Sequence, residues 1–535
     1  MSAPPSPSTP PGRSREPSGT TPPVPLGSRD LPGGSAESNI SQASSVLLAR
    51  ERGSPEVFVV ARAAALRFLG GFLAFPGGKV HGDDRELARA TPGLTAQHVA
   101  AVRELFEEIG VLLAHDDAGA FPTAEELAPL HRELMAEQMT FNDLLAERHF
   151  HLLPDDLAFA GSLVTPPFSP YRFDTAFFVA VLPQGQTAEV WPGELTEGAW
   201  HSAARVLADW NAGDKLVSPP TVALLQAIHG RPVEELPERA RPLLDELATG
   251  AIHPIWFSPA VQMVPLFAQG LPPSTHTNAY LVGADPAYLF DPGATDPIEQ
   301  ERLFALLDGR HADGMRLRGV VLTHHHPDHI GAASACAQRY HVPILAHPLT
   351  AQALRDRVEV TRHLNDGDHL DLGPAPDGNG RWHLQTIHTP GHAPGHLCFH
   401  EPRYRLLFVG DMISTLSSVL IPPPPEGDLA VYLDSLRRLQ TFPARLLLPA
   451  HGSPSARPAF LLEQALLHRQ EREEQLLHAV EASPRTVAEL VMELYRGLPP
   501  PLMRFAEMQV RAGLHKLQRE GRAIADGDCW RRNPL

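Results

Sequence analysis

The stretch VVLTHHHPDHIGA packs four histidines and an aspartate into one short loop. His324, His326, Asp328 and His329 follow the spacing H-x-H-x-D-H. That alternation lets a single loop offer ligands to two neighbouring cations. Imidazoles mixed with a carboxylate suit zinc, iron or manganese. A second stretch, TPGHAPGHLCF, sets His392 and His396 among prolines and glycines that fix the backbone tightly. Further on, FVGD ends on Asp411 and LLPAHG ends on His451.

A different chemistry is written into VRELFEEIGV. Glu104 and Glu108 are four residues apart and share a helix face, and Glu107 lies three from Glu104. Three carboxylates so close repel one another unless a cation joins them. Oxygen-rich ligation suits Mg²⁺ or Mn²⁺, which in turn grip a diphosphate.

Several elements must position these residues. AQHVAAVRELFEEIGVLLA reads as a helix with Gly110 near its end. PEVFVVARAAALRFLGGFLAFPGG upstream has short strand-like apolar runs, and YRFDTAFFVAVLPQGQ resembles a strand closed by a turn. THTNAYLVGADPAYLFDPGAT reads as two strands joined by a turn. The histidine loop follows a buried strand and precedes a helix. RLLFVGDMIS and ARLLLPAHGSP are apolar strands that end in polar residues. Strands alternating with helices indicate layered α/β domains. After residue 460 the pattern turns amphipathic and helical, with Arg511, Lys516, Arg519, Arg522, Arg531 and Arg532 forming a basic face.

The order and spacing of the histidine cluster, TPGH, FVGD and PAHG resemble the metallo-β-lactamase family over residues 256–460. The resemblance implies an αββα sandwich with a two-metal site, zinc or else Fe or Mn. His324, His326 and His392 would hold one ion, Asp328, His329 and His451 the other, and Asp411 would bridge them. His396 would support the ligands or pack, and His325 matches no ligand position. Asp328 would also act in catalysis, with two cations turning water into hydroxide near neutral pH.

FLAFPGGKV followed by the glutamate helix resembles the Nudix hydrolases, whose box reads G-x5-E-x7-R-E-U-x-E-E-x-G-U, with U a bulky aliphatic residue. Gly78 fits the start, and Arg103, Glu104, Leu105, Glu107, Glu108, Gly110 and Val111 fit the end. The inserted GDDRELARATPGLTA leaves Asp84 and Glu86 both as candidates for the first acid. The resemblance implies Mg²⁺ or Mn²⁺ held by Glu104, Glu107 and Glu108. Arg103 would orient a carboxylate, and Arg103 and Glu104 would serve catalysis. RFDTAFFVAVLP, ELTEGAW and SPPTVALL further resemble the branch containing coenzyme A diphosphatases. The tail resembles the winged-helix-like domain of a metallo-β-lactamase branch containing endoribonucleases and thioesterases.

The expected organisation is α/β multidomain. A disordered Pro/Ser-rich stretch covers 1–36, a Nudix α/β/α domain 37–240, a linker 241–255, an αββα domain 256–460, and a small helical winged-helix-like domain 461–535. The expected substrate is a thioester, ester or lactone, acyl-CoA or another diphosphate-linked compound among them. Single-stranded RNA is the alternative, and a Nudix domain that only senses a ligand is a third. The net charge of −17 argues against bulk electrostatic binding of nucleic acid. Three scattered cysteines form neither a disulfide framework nor a thiolate zinc motif. With no membrane-length apolar run and no apolar signal core, a soluble cytoplasmic protein is expected.

Overall fold

The computed structural model describes residues 40–51, 55–191, 193–248, 255–481 and 483–534. The expected disordered stretch 1–36 lies outside them. The first domain is built on strands β1 (Ser41–Glu51), β2 (Pro55–Arg62), β3 (Leu73–Ala74), β4 (Ala158–Val164), β5 (Phe173–Val181) and β6 (Leu195–His201). Their order is β3-β2-β1-β5-β4, with β6 on β2 and β1 parallel to β5. Alternate residues of the central strands face two separate cores. Val46, Leu48, Phe58 and Phe178 pack toward helices α1 (Gly82–Ala90), α2 (Ala96–Ile109), α3 (Ala124–Met135) and α4 (Phe141–Glu147). Leu47, Val57, Val59 and Phe177 pack toward α5 (Ala203–Ala212), α6 (Pro219–Ile228) and α7 (Leu236–Ala248). The result is an α/β/α sandwich.

Helix α7 runs through the boundary expected at 240. Its buried Leu244 packs against β4, where a Cβ on Gly161 would come within 2.8 Å of it. Burying that apolar face ties the helix to the first domain instead of freeing it as a linker.

The second domain has two facing sheets. Strands β7 (Ile255–Ser258), β8 (Val261–Phe267), β9 (His276–Val282), β10 (Ala287–Phe290), β11 (Leu317–Val321), β12 (Ile344–Ala346) and β13 (Arg362–His363) run in sequence order across one. Strands β14 (His369–Pro374), β15 (Arg381–His388), β16 (Leu397–Glu401), β17 (Leu406–Gly410) and β18 (Leu446–Pro449) form the other. Aromatic side chains fill the gap between them, with Phe290 5.0 Å from Phe399 and 5.8 Å from Phe408 by ring centroid. Such pairs contribute beyond their buried area. Helices α8 (Pro297–Ala312), α9 (Pro327–Ile330), α10 (Ala333–Tyr340) and α11 (Pro348–Leu354) accompany the first sheet, and α12 (Leu429–Leu439) covers the second. This is the αββα sandwich.

Helix α13 (Pro458–Ala479) leaves that domain and enters the third. Its Leu462 packs in the core under the second sheet, whereas Leu476 packs in the C-terminal core. There α14 (Val487–Leu494) and α15 (Met503–Arg519) meet a small sheet of β19 (Arg485–Thr486), β20 (Ala523–Asp526) and β21 (Cys529–Arg532). The β20–β21 hairpin is the wing that the helical periodicity alone did not announce.

The basic face expected on this tail is largely neutralised. Lys516 pairs with Glu473 and with Glu520, Arg522 with Glu473, Arg519 with Asp428, Arg511 with Glu507, and Arg532 with Glu481. Glu473 of α13 meets Lys516 of α15 and Arg522 just beyond it, a pairing that sequence spacing does not reveal.

Candidate metal centre

Strand ends carry the site. β11 delivers Thr323, His324, His325 and His326 into the groove between the sheets. His326 then caps α9, whose first turn holds Asp328 and His329. β17 ends at Gly410 and hands over Asp411, and β18 ends just before His451. His392 sits on the turn between β15 and β16. There Gly391, at φ +131°, abuts the backbone of Tyr432 so closely that a Cβ would come within 2.3 Å. No side chain fits there, which is why the turn needs glycine.

The groove gathers these ligands into two clusters. His324, His326, His392 and Asp411 form one, and Asp328, His329 and His451 form the other, each with ligand atoms within 4.8 Å of one another. In the first, His326 Nδ1 lies 3.0 Å from His324 Nε2 and 2.9 Å from His392 Nε2. Asp411 Oδ2 faces this cluster, 3.5 Å from His392 Nε2. Asp411 Oδ1 faces the second, 3.5 Å from His329 Nε2 and 3.3 Å from His451 Nε2. Asp328 stands 3.5 Å from His451 Nε2.

The outward-facing nitrogens set the tautomers. A carbonyl can only accept, so His392 Nδ1–H donates to Leu420 O at 2.8 Å and leaves Nε2 as a lone pair inside. His329 Nδ1 donates to Asp291 at 2.9 Å. His451 Nδ1 donates to His276 O at 3.0 Å. Thr323 Oγ1 gives its own proton to Asp291 at 2.7 Å and so accepts from His324 Nδ1 at 2.9 Å. His326 turns Nε2 toward Glu426, at 3.4 Å. Burial and then the neighbouring imidazoles hold His324 well below its ordinary pKa, and burial and then His326 push His392 down to about 3. Both rings are therefore neutral and able to ligate. His329 Nε2 and Asp411 Oδ1 are buried without any hydrogen-bond partner. Orphaned polar atoms of this kind are rare, and divalent cations would satisfy both, so these residues fit a metal centre.

His396 lies behind the ligands. Its Nε2 accepts from the backbone N–H of Asp411 at 3.1 Å and its Nδ1 meets Thr389 Oγ1 at 2.9 Å. His325 turns to Glu426, at 2.8 Å. Three contributors escaped the sequence reading. Asp291, buried, joins Thr323 to His329, and its place at a strand end in LFDPG was a usable signal. Gly270 leaves room over Asp328, where a Cβ would come within 2.9 Å of the carboxylate. Glu426, in the loop before α12, had no signal at all.

In the first domain Asp84, not Glu86, is the acid of the insertion that meets Arg103. It is 1% exposed, and Arg103 grips it at 2.9 and 3.1 Å, while Glu86 is exposed. The same guanidinium reaches Glu104 at 3.0 Å and Glu107 at 2.9 Å. Glu108 accepts from Gly77 N–H at 2.9 Å, and a Cβ on Gly78 would strike the Glu104 carboxylate. Burial raises Glu104 to about 7 and Glu108 to about 8. Glu104, Glu107 and Glu108 do not converge as tightly as the two clusters of the second domain: ligand atoms of the three are not all within 4.8 Å.

Family comparison follows the same order along the chain. Residues 77–228 match the NUDT19 Nudix domain, 273–451 the metallo-beta-lactamase superfamily, and 486–531 the beta-lactamase associated winged helix domain. The chain is 30% identical over 151 residues to a hydroxyacylglutathione hydrolase of Rhizobium meliloti, covering 28% of this chain and 54% of that one. It is 29% identical over 260 residues to the lactamase-like protein nscB of Arthroderma benhamiae, covering 44% and 53% respectively. It thus spans about half the length of these curated relatives. A NUDIX hydrolase structure from Alicyclobacillus acidocaldarius is 30% identical, with a TM-score of 0.34, covering 37% of this chain and 96% of that one.

The candidate centre lies in the groove of an αββα sandwich of metallo-β-lactamase type, and its His/Asp donors suit divalent cations. Along the chain a Nudix domain, a metallo-β-lactamase-type domain and a beta-lactamase associated winged helix follow one another in that order.

Proposed function

We propose that the second domain is a dinuclear hydrolase acting on a thioester, ester or lactone, and that the Nudix domain takes a diphosphate-linked compound of the coenzyme A type. The observation that carries the reading is Asp411, which turns one oxygen toward each ligand cluster. His324, His326 and His392 would hold one cation, Asp328, His329 and His451 the other. Two bound divalent cations would acidify water and polarise an acyl carbonyl. The chain's own part is to keep His324 and His392 neutral, the ring orientations fixed by outward hydrogen bonds and the carboxylates aimed inward.

An acyl substrate is favoured over RNA on two grounds. The net charge is −17, and the basic residues of the tail are mostly committed to internal ion pairs. The relative named hydroxyacylglutathione hydrolase points the same way. The test is a screen of full-length protein loaded with Zn²⁺, Fe²⁺ or Mn²⁺ against acyl-CoAs, hydroxyacylglutathione, lactones and single-stranded RNA. Acyl hydrolysis absent from Asp411→Ala is the expected result. RNA cleavage without any acyl hydrolysis overturns it.

A second reading of the Nudix domain, as a ligand sensor, is favoured by the way Arg103 ties up Asp84, Glu104 and Glu107 at once. Mg²⁺-dependent cleavage of a coenzyme A-type diphosphate by the full chain, lost in Glu108→Gln, supports catalysis. Binding of that compound without cleavage supports the sensor.

A further inference from the structure

Arg469 of α13 is 6% exposed and has no carboxylate partner among the described residues. A buried cation without a counter-charge is costly, and an apolar side chain of similar size would usually serve stability better. Its guanidinium donates to the Val419 carbonyl and, at 3.1 Å, to Gln509 Oε1, and lies 5.5 Å from the Tyr432 ring. Gln509, on α15 of the winged helix, donates its own amide to the same carbonyl at 2.9 Å. Val419 O thus accepts from two donors on two different helices. Val419 and Leu420 belong to no helix or strand; the side chains of Val419 and Ile421 pack in the core under the second sheet, and the two donors on Val419 O orient the peptide that leads to the next carbonyl. That next carbonyl, Leu420 O, is the one that accepts from His392 Nδ1 at 2.8 Å.

We propose that Arg469 and Gln509 are positioning residues for the metal centre: they hold the Val419–Leu420 segment so that Leu420 O fixes the ring plane and tautomer of His392. The winged helix is then part of the machinery that shapes the His324, His326 and His392 cluster, whatever else it binds. The inference rests on reading His392 as a ligand.

The test uses full-length Gln509→Leu, Arg469→Met and the double variant. Metal affinity is read by competition with a chelator, and ligand geometry by the visible spectrum of the Co²⁺-loaded protein. Loss of a partner that orients a ligating histidine weakens metal binding about tenfold or more. The double variant should show a loss of about that size and an altered Co²⁺ spectrum, with a far-UV circular dichroism spectrum like that of the parent. Gln509→Leu, at a half-buried position with Arg469 retained, should show the same change in smaller degree. Parental affinity and spectrum in both Gln509→Leu and the double variant overturn the proposal. His392→Ala separates the two claims. If it keeps full metal and spectrum, the reading of His392 as a ligand fails. If it loses metal while the double variant does not, only the positioning role falls.

Discussion

Asp411 carries more of the site than any other residue, because its two oxygens face different clusters. Asp411→Ala should lower hydrolysis by at least about 100-fold, the upper range for losing a mere supporting partner. Metal analysis should show that both ions suffer, and retention of two ions with full activity would remove Asp411 from the bridging position. The glutamates of the Nudix helix make a different prediction. Burial raises Glu104 to about 7 and Glu108 to about 8, so the metal-free fold prefers them protonated. The folded state then binds more protons than the unfolded one, and stability falls as pH rises from near 4.5 toward 8. A bound Mg²⁺ needs the ionised forms, so its affinity should weaken about tenfold per unit as pH drops below these values, for each proton displaced. Calorimetric titration between pH 6 and 8.5 measures this, and Glu108→Gln should flatten the slope. A pH-independent affinity would show that neither glutamate meets the ion.

At the scale of elements, the turn between β15 and β16 shows how glycine serves chemistry. Gly391 has φ +131° and abuts Tyr432 of α12, so Gly391→Ala must both strain the backbone and push the helix away. A destabilisation of about 1–3 kcal/mol is expected, together with weaker metal binding, because His392 is the next residue. Denaturant titration and metal analysis on one sample check it, and an unchanged metal affinity would mean that the turn does not aim His392. The Nudix insertion is a second case. α1 and the turn after it lengthen the path between Gly78 and Arg103, yet Asp84 still reaches Arg103. The interruption is absorbed in a helix hairpin, and the buried ion pair is kept.

Across the whole molecule, both flanking domains lean on the loops that hold ligands. Ser169 of the Nudix domain meets Ser453 at 3.3 Å, two residues past His451. Tyr404 of the second domain donates to the Asn211 carbonyl at 3.1 Å, and Phe72 packs 5.9 Å from Phe257. No helix among the described residues is long and apolar enough to cross a membrane. Arg511, Lys516, Arg519, Arg522 and Arg532 of the tail all lie in internal ion pairs, which counts against a phosphate backbone as the substrate. Acyl hydrolysis should therefore change by less than about threefold between 50 and 300 mM salt, whereas an enzyme tracking RNA phosphates would lose affinity steeply. Arg511→Glu, which breaks only the pair with Glu507 one turn away, should leave that response unaltered. A steep salt dependence abolished by this variant would restore the nucleic-acid reading.

The sequence by itself determined the three domains, since motif spacing and periodicity are local properties. H-x-H-x-D-H, TPGH and PAHG sit at strand ends because apolar runs must bury and polar ends must emerge. Tertiary structure alone decided the rest. Asp84 rather than Glu86 meets Arg103 because α1 turns only one of them inward. α7 belongs to the Nudix sheet because Leu244 finds an apolar partner there. The basic tail is neutral because Glu473, Glu481 and Asp428 arrive from elsewhere in the chain. Glu426 and Leu420 O join the centre only through folding, since hydrogen bonds between residues far apart in sequence leave no period to read.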